Sequence, residues 1–265
     1  MRSGISLCLA VILSVCCGAF LSADGGKSPI YGAERPAEIK EECLDAETGG
    51  INEACLESSR YYPSHLGDEW YLKATRTAEP EKERKVKARL RSIEERKDGI
   101  YNYFYAPDVD VRYMIRKIEG DGVYMSVIVY PFPLFGFPIE AKLKPAMKIM
   151  DFPLEAGKKW SYEGQAEAHI LFIPIRRNIK ADFEVKGRVV LELECGSVDT
   201  YNIEVKVDEG DGSGLKTEKY WYGRDLGYTV AATTGHTAYL TGYRVFDAEK
   251  GKYAEKIPED YKEYK

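Results

Sequence analysis

The chain has 265 residues, with 38 Lys and Arg against 43 Asp and Glu, a formal net charge of −5, and 44% hydrophobic residues. A mildly acidic surface repels phosphate and anionic lipid at long range, which argues against nucleic acid as a partner. The basic stretch from Lys82 to Lys97 is preceded by Glu81 and interleaved with Glu83, Glu94 and Glu95, and so reads as a solvated strand face and loop.

Residues 1 to 23 place one positive charge, Arg2, before an apolar run from Ile5 to Cys17 and then small residues. This is the layout of a secretory signal, and the run is short for a bilayer span. Cleavage fits after Ala19 or after Ala23. Leu13-Ser14-Val15-Cys16 resembles a bacterial lipobox, with Val15 where a small residue is preferred, so Cys16 is the candidate for acylation. The expected location is periplasmic or extracellular, with membrane association only if Cys16 is lipidated.

Residues 24 to 60 are rich in Gly, Glu, Ala and Pro and predict a flexible segment, with one short helix between Cys43 and Cys55. In an oxidising compartment these two cysteines are the natural disulfide pair. Cys195 is then left over in an apolar alternation with Leu191 and Leu193, as a buried, inert thiol.

From Tyr61 onward the period is two. Val86, Ala88 and Leu90 alternate with lysines and arginines; Ala141, Leu143, Met147 and Ile149 with Lys142, Lys144 and Lys148; Ile203, Val205 and Val207 with Asn202, Glu204 and Lys206. Such runs are strands with one dry face. Turn signals at Lys97-Asp98-Gly99, Gly120-Asp121-Gly122, Gly210 to Gly214 and Gly235-His236 separate them as an antiparallel meander. No helical stripe long enough for a parallel crossover lies between 61 and 246. The tail, 247 to 265, alternates charge with tyrosine and is expected to fray or form one turn of helix.

One phrase recurs. Tyr62-Pro63-Ser64-His65-Leu66-Gly67-Asp68-Glu69-Trp70 returns as Phe152-Pro153-Leu154-Glu155-Ala156-Gly157-Lys158-Lys159-Trp160. Proline fixes φ, glycine allows a positive φ at the turn, and tryptophan begins a strand. The expected fold is therefore all-β: two similar antiparallel units, 61–150 and 151–246, related by tandem duplication and forming a sandwich or a strongly curved half-barrel sheet.

The second half also resembles a known group. Phe152 to Trp160, Gly196 to Ile203 and Trp221-Tyr222-Gly223-Arg224-Asp225-Leu226-Gly227 are similar to recurring phrases of exported bacterial and archaeal all-β proteins of unknown function, of periplasmic or lipoprotein type. The resemblance covers about residues 150 to 232. It departs at Glu194-Cys195, where that pattern has proline and alanine, and it implies no catalytic residues.

Chemistry-bearing patterns are sparse. His65, His169 and His236 form no ligand-spaced pair, so neither a metal site nor a cofactor is expected. Asp208 to Gly214 fits neither a calcium loop nor a phosphate loop and reads as a hairpin tip. No nucleophile elbow or other catalytic constellation is present, which reads against an enzyme. Two stretches, Val123 to Pro138 and His169 to Ile175, are apolar on both faces and interrupted by proline. They are either buried or line a groove walled by Phe132, Phe135, Phe137, Leu171 and Phe172. The leading function is an exported envelope binding or scaffold module for a lipid or other apolar ligand; the alternative is a protein-protein interaction subunit of an envelope complex.

Overall fold

A computed structural model describes residues 41–97, 99–106, 111–118, 120–131, 138–170, 173–210 and 212–261. A 3-10 turn, Glu41–Cys43, and a helix, α1 (Glu53–Ser59), precede thirteen strands. These are β1 (Glu69–Arg76), β2 (Glu79–Arg96), β3 (Gly99–Ala106), β4 (Val111–Ile118), β5 (Gly122–Pro131), β6 (Pro138–Asp151), β7 (Lys159–Ile170), β8 (Ile173–Leu193), β9 (Gly196–Asp208), β10 (Lys216–Gly223), β11 (Gly227–Ala232), β12 (His236–Asp247) and β13 (Lys252–Lys256). Each strand pairs antiparallel with the next, as the alternation and turn chemistry require.

The sheet is neither a sandwich nor a half-barrel. β1 also pairs with β12, with Trp70 opposite Tyr243 and Leu72 opposite Leu240, which closes twelve strands into a barrel. Closure is the physical correction to the expected fold. An open meander would leave β1 and β12 as edges with unpaired amides, and pairing them removes both. β13 lies outside the ring, pairing only with Tyr243 to Asp247 at the end of β12.

Inward side chains are those the alternation marks as apolar. Val86 and Leu90 of β2, Ala181 and Phe183 of β8, and Ile203, Val205 and Val207 of β9 are buried in the barrel core with Met125, Met147 and Tyr222. Between β6 and β7, strands of 14 and 12 residues, backbone pairing spans only Ala141 to Lys144 against Ala168 to Gln165. Beyond it, side chains bridge the gap. The Tyr162 hydroxyl donates to the Pro145 carbonyl at 3.0 Å and the Trp160 indole to the Lys148 carbonyl at 2.9 Å. Gly164 makes this possible, since a Cβ there would fall 2.2 Å from the Tyr162 oxygen.

The repeated phrase builds the same turn twice. Gly67 and Gly157 take φ of 91° and 86°. The Gly67 and Gly157 amides donate to the Leu90 and Val185 carbonyls, and the Leu90 and Val185 amides donate back to Asp68 and Lys158. Trp70 and Trp160 each follow as the second residue of a strand, one against Phe104 and the other stacked on Phe183. These matching bonds concern the strand entry alone and do not make the two halves copies.

Two terminal stretches are more ordered than their composition predicts. Cys43 and Cys55 form the expected disulfide and are both fully buried. With α1, Tyr61 and Tyr62 they plug one end of the barrel, so this part of the 24–60 segment is folded. The Ser58 hydroxyl accepts from the Leu154 amide at 2.8 Å, Tyr61 donates to Asp199 at 3.0 Å, and Arg60 pairs with Asp225 at 2.6 Å. In the tail, Tyr261 is buried against Tyr71, and its hydroxyl donates to the Leu72 carbonyl. Aromatic contacts made after folding supply the order that local composition lacks.

Candidate ligand site at the barrel end opposite the plug

An antiparallel meander sends alternate connections to opposite ends. The β6–β7, β8–β9 and β10–β11 connections lie at the plugged end. The β5–β6, β7–β8, β9–β10 and β11–β12 connections share the other rim. The strand ends flanking residues 132–137 and 171–172, Pro131 and Pro138 on one side and Ile170 and Ile173 on the other, therefore open at one rim. Phe132, Phe135, Phe137, Leu171 and Phe172 themselves lie outside the described residues, as does Cys16. Among described residues, Ile173 and Leu215 are apolar side chains at this end, each 66% exposed, with Ile173 on the projecting β7–β8 hairpin seven residues beyond Lys180, where β9 ends.

Just inside, β10 turns polar. Lys216, Glu218, Tyr220 and Tyr222 alternate along one strand face, so charge and aromatic side chains point into the barrel together. Lys216 pairs at 2.6 Å with Glu209, which is buried. Glu218 is 2% exposed and accepts from the Tyr220 hydroxyl, while its Oε1 has no partner. Burial, reinforced by Glu209 and opposed by the Tyr220 hydrogen bond and Lys216, pushes the Glu218 carboxyl up to about 7. Above it, burial raises the phenols of Tyr62, Tyr220, Tyr222 and Tyr228 far above their usual range, and the Tyr228 hydroxyl has no protein acceptor.

Between Met147, Phe183, Val205, Glu218, Tyr220 and Tyr222 lies a cavity of about 20 Å³. That holds about one water-sized group and no acyl chain. Among the described residues no cluster of three His, Cys, Asp or Glu side chains could hold a metal ion. Cys195 is buried, and burial raises its thiol, as the apolar alternation predicts.

The inward carboxylate was readable in principle. Lys216 and Glu218 share parity with Tyr220 and Tyr222, so a strand whose aromatic face is dry must also bury those charges. Glu209 carries the same signal, since it continues the inward parity of Ile203, Val205 and Val207 one residue past the end of β9.

The chain matches no family model and no curated protein. Three solved structures resemble it in fold. A protein of Bacteroides fragilis described as exported, with a YmcC-like fold, is 13% identical with a TM-score of 0.47, covering 69% of this chain and 97% of its own. A protein of Parabacteroides distasonis described as a lipoprotein is 9% identical with a TM-score of 0.41, over 69% and 97%. The hypothetical lipoprotein YmcC of Escherichia coli is 7% identical with a TM-score of 0.39, over 71% and 89%. At this distance the likeness carries no functional assignment.

Proposed function

We propose that this protein is an exported, non-catalytic binding module of the cell envelope that takes a lipid or other apolar ligand at the rim opposite the disulfide plug. The observation that carries the reading is that the strand ends flanking both proline-interrupted apolar stretches lie at the unplugged end. One end is filled by the plug; the other exposes Ile173 and Leu215 and receives the strand ends that flank the Phe132 to Phe137 and Leu171-Phe172 stretches. Leu56, Leu66 and Val190 are exposed toward the plugged end as well, so the reading rests on the apolar stretches that the ends of β5 and β7 lead into. The filled interior supports engagement at the rim rather than deep in the barrel, since the cavity beside Glu218 is only about 20 Å³. Export is supported by the Cys43–Cys55 disulfide, a bond that persists in oxidising compartments. A lipid on Cys16 would hold the module at a membrane.

Mass spectrometry of solvent extracts from the natively purified protein tests the ligand. A bound lipid that disappears in an Ile173→Ser, Leu215→Ser double variant is the expected result; a clean extract from the unaltered protein overturns it. The second reading, docking of an envelope protein, rests on the same two exposed side chains. Crosslinking in native membranes followed by size-exclusion chromatography separates the two, because a persistent solitary monomer removes the docking reading.

A further inference from the structure

We propose that the outer wall of the barrel carries a binding site for a phosphate-type oxyanion, formed by Arg89, Arg91 and Arg112 around the ring of Tyr105. The position follows from register. Val86 and Leu90 face the core, so Arg89 faces out, directly opposite Tyr105 of β3. Tyr105 in turn lies opposite Arg112 of β4. A register shift between Leu90 and Ser92 leaves Arg91 as an extra residue, and such bulges re-aim side chains. The guanidinium carbons of Arg89, Arg91 and Arg112 lie 5.8, 5.2 and 5.3 Å from the centre of the Tyr105 ring.

Four other cations of the same basic run are neutralised. Lys82 pairs with Glu79, Lys85 with Asp260, Lys87 with Glu69 and Arg96 with Glu94, all between 2.9 and 3.0 Å. Among the described residues, no carboxylate lies within ion-pair reach of Arg89, Arg91 or Arg112. The Arg89 Nε is also closed off from solvent without an acceptor. Three like charges around one ring sit within about one screening length, roughly 8–10 Å, and repel one another. Stacking on Tyr105 holds the guanidinium groups in place.

A phosphate group relieves the repulsion. Its peripheral oxygens can each accept from a planar guanidinium fork, whereas a carboxylate offers only two oxygens. The net charge of −5 opposes anions at long range, so capture is local and salt-sensitive. The phosphate could be soluble or part of an anionic lipid headgroup; both present the same oxygens. The site is independent of what the apolar rim takes.

The test has two arms on the full exported chain at low ionic strength: calorimetric titration with inorganic phosphate, and cosedimentation with vesicles of phosphatidylglycerol in phosphatidylcholine against pure phosphatidylcholine. Arg91 and Arg112 are exposed, so an Arg91→Gln, Arg112→Gln double variant leaves the core intact; Lys97→Gln with Lys252→Gln is the charge-matched control. Binding in either arm that weakens about tenfold or more in the arginine variant and not in the control supports the site, and the responding arm names the source. Pure phosphatidylcholine, whose phosphodiester is offset by choline, is the net-neutral reference for the anionic vesicles. Absence of binding in both anionic arms, or equal behaviour of the arginine and control variants, overturns the proposal.

Discussion

Glu218 is ionisable, inward-facing and nearly dry, and its titration should be visible in the stability of the whole protein. Its carboxyl is raised to about 7 from an ordinary 4.5, so between those values the folded state binds more protons than the unfolded chain. Its contribution is therefore most favourable below the unfolded value and is lost as pH rises through 7. Glu218→Gln, which stays neutral, should match the unaltered protein near about pH 4 and exceed it by up to about 3 kcal/mol near about pH 8. Urea midpoints at the two pH values check this; a difference that does not change with pH would show that Glu209, Lys216 and Tyr220 already compensate the charge. Residue-level features divide by cause. Alternation foretold buried Cys195 and the repeated phrase foretold the strand-entry tryptophans, whereas the pairing of Glu209 with Lys216 depends on β9 and β10 meeting in register.

At the scale of elements, the plug is where local composition and final structure part company. Residues 41 to 60 carry little apolar material, yet Cys43, Cys55, Tyr61 and Tyr62 are all buried because the barrel end supplies the missing half of their core. The disulfide closes a loop with a separation of 12 residues, and a loop of that size contributes about 2–3 kcal/mol by restricting the unfolded chain. A Cys43→Ser, Cys55→Ser double variant should lose about that amount, plus a packing cost, in equilibrium denaturation. No loss would mean the cap is held by Arg60–Asp225, Tyr61–Asp199 and Ser58–Leu154 alone. The strands were far more legible. The alternating runs at Val86 to Leu90, Ala141 to Ile149 and Ile203 to Val207 fall inside β2, β6 and β9. Each has a wet and a dry face, and period two survives any tertiary arrangement that keeps one face dry.

For the whole molecule, the decisive contact joins β1 to β12 across most of the chain. A strand paired on both sides opens only when the barrel opens. Amides of Leu72 to Ala74 in β1 and Ala238 to Leu240 in β12 should thus exchange with the free energy of global unfolding. Amides of β13, paired on one side and largely exposed, should exchange earlier. Hydrogen exchange by mass spectrometry reads both; early exchange in β1 would contradict a closed ring. Antiparallel strands, their order, their turns, the Cys43–Cys55 pairing and the inward residues were determined by the sequence itself, because they depend on neighbours two to a dozen residues apart. Tertiary structure alone decided that the sheet closes, that a polar-looking leader fills one end and that three arginines share one tyrosine. Each of those requires residues brought together across strands, and the free energy of such meetings is set by register and closure rather than by local pattern.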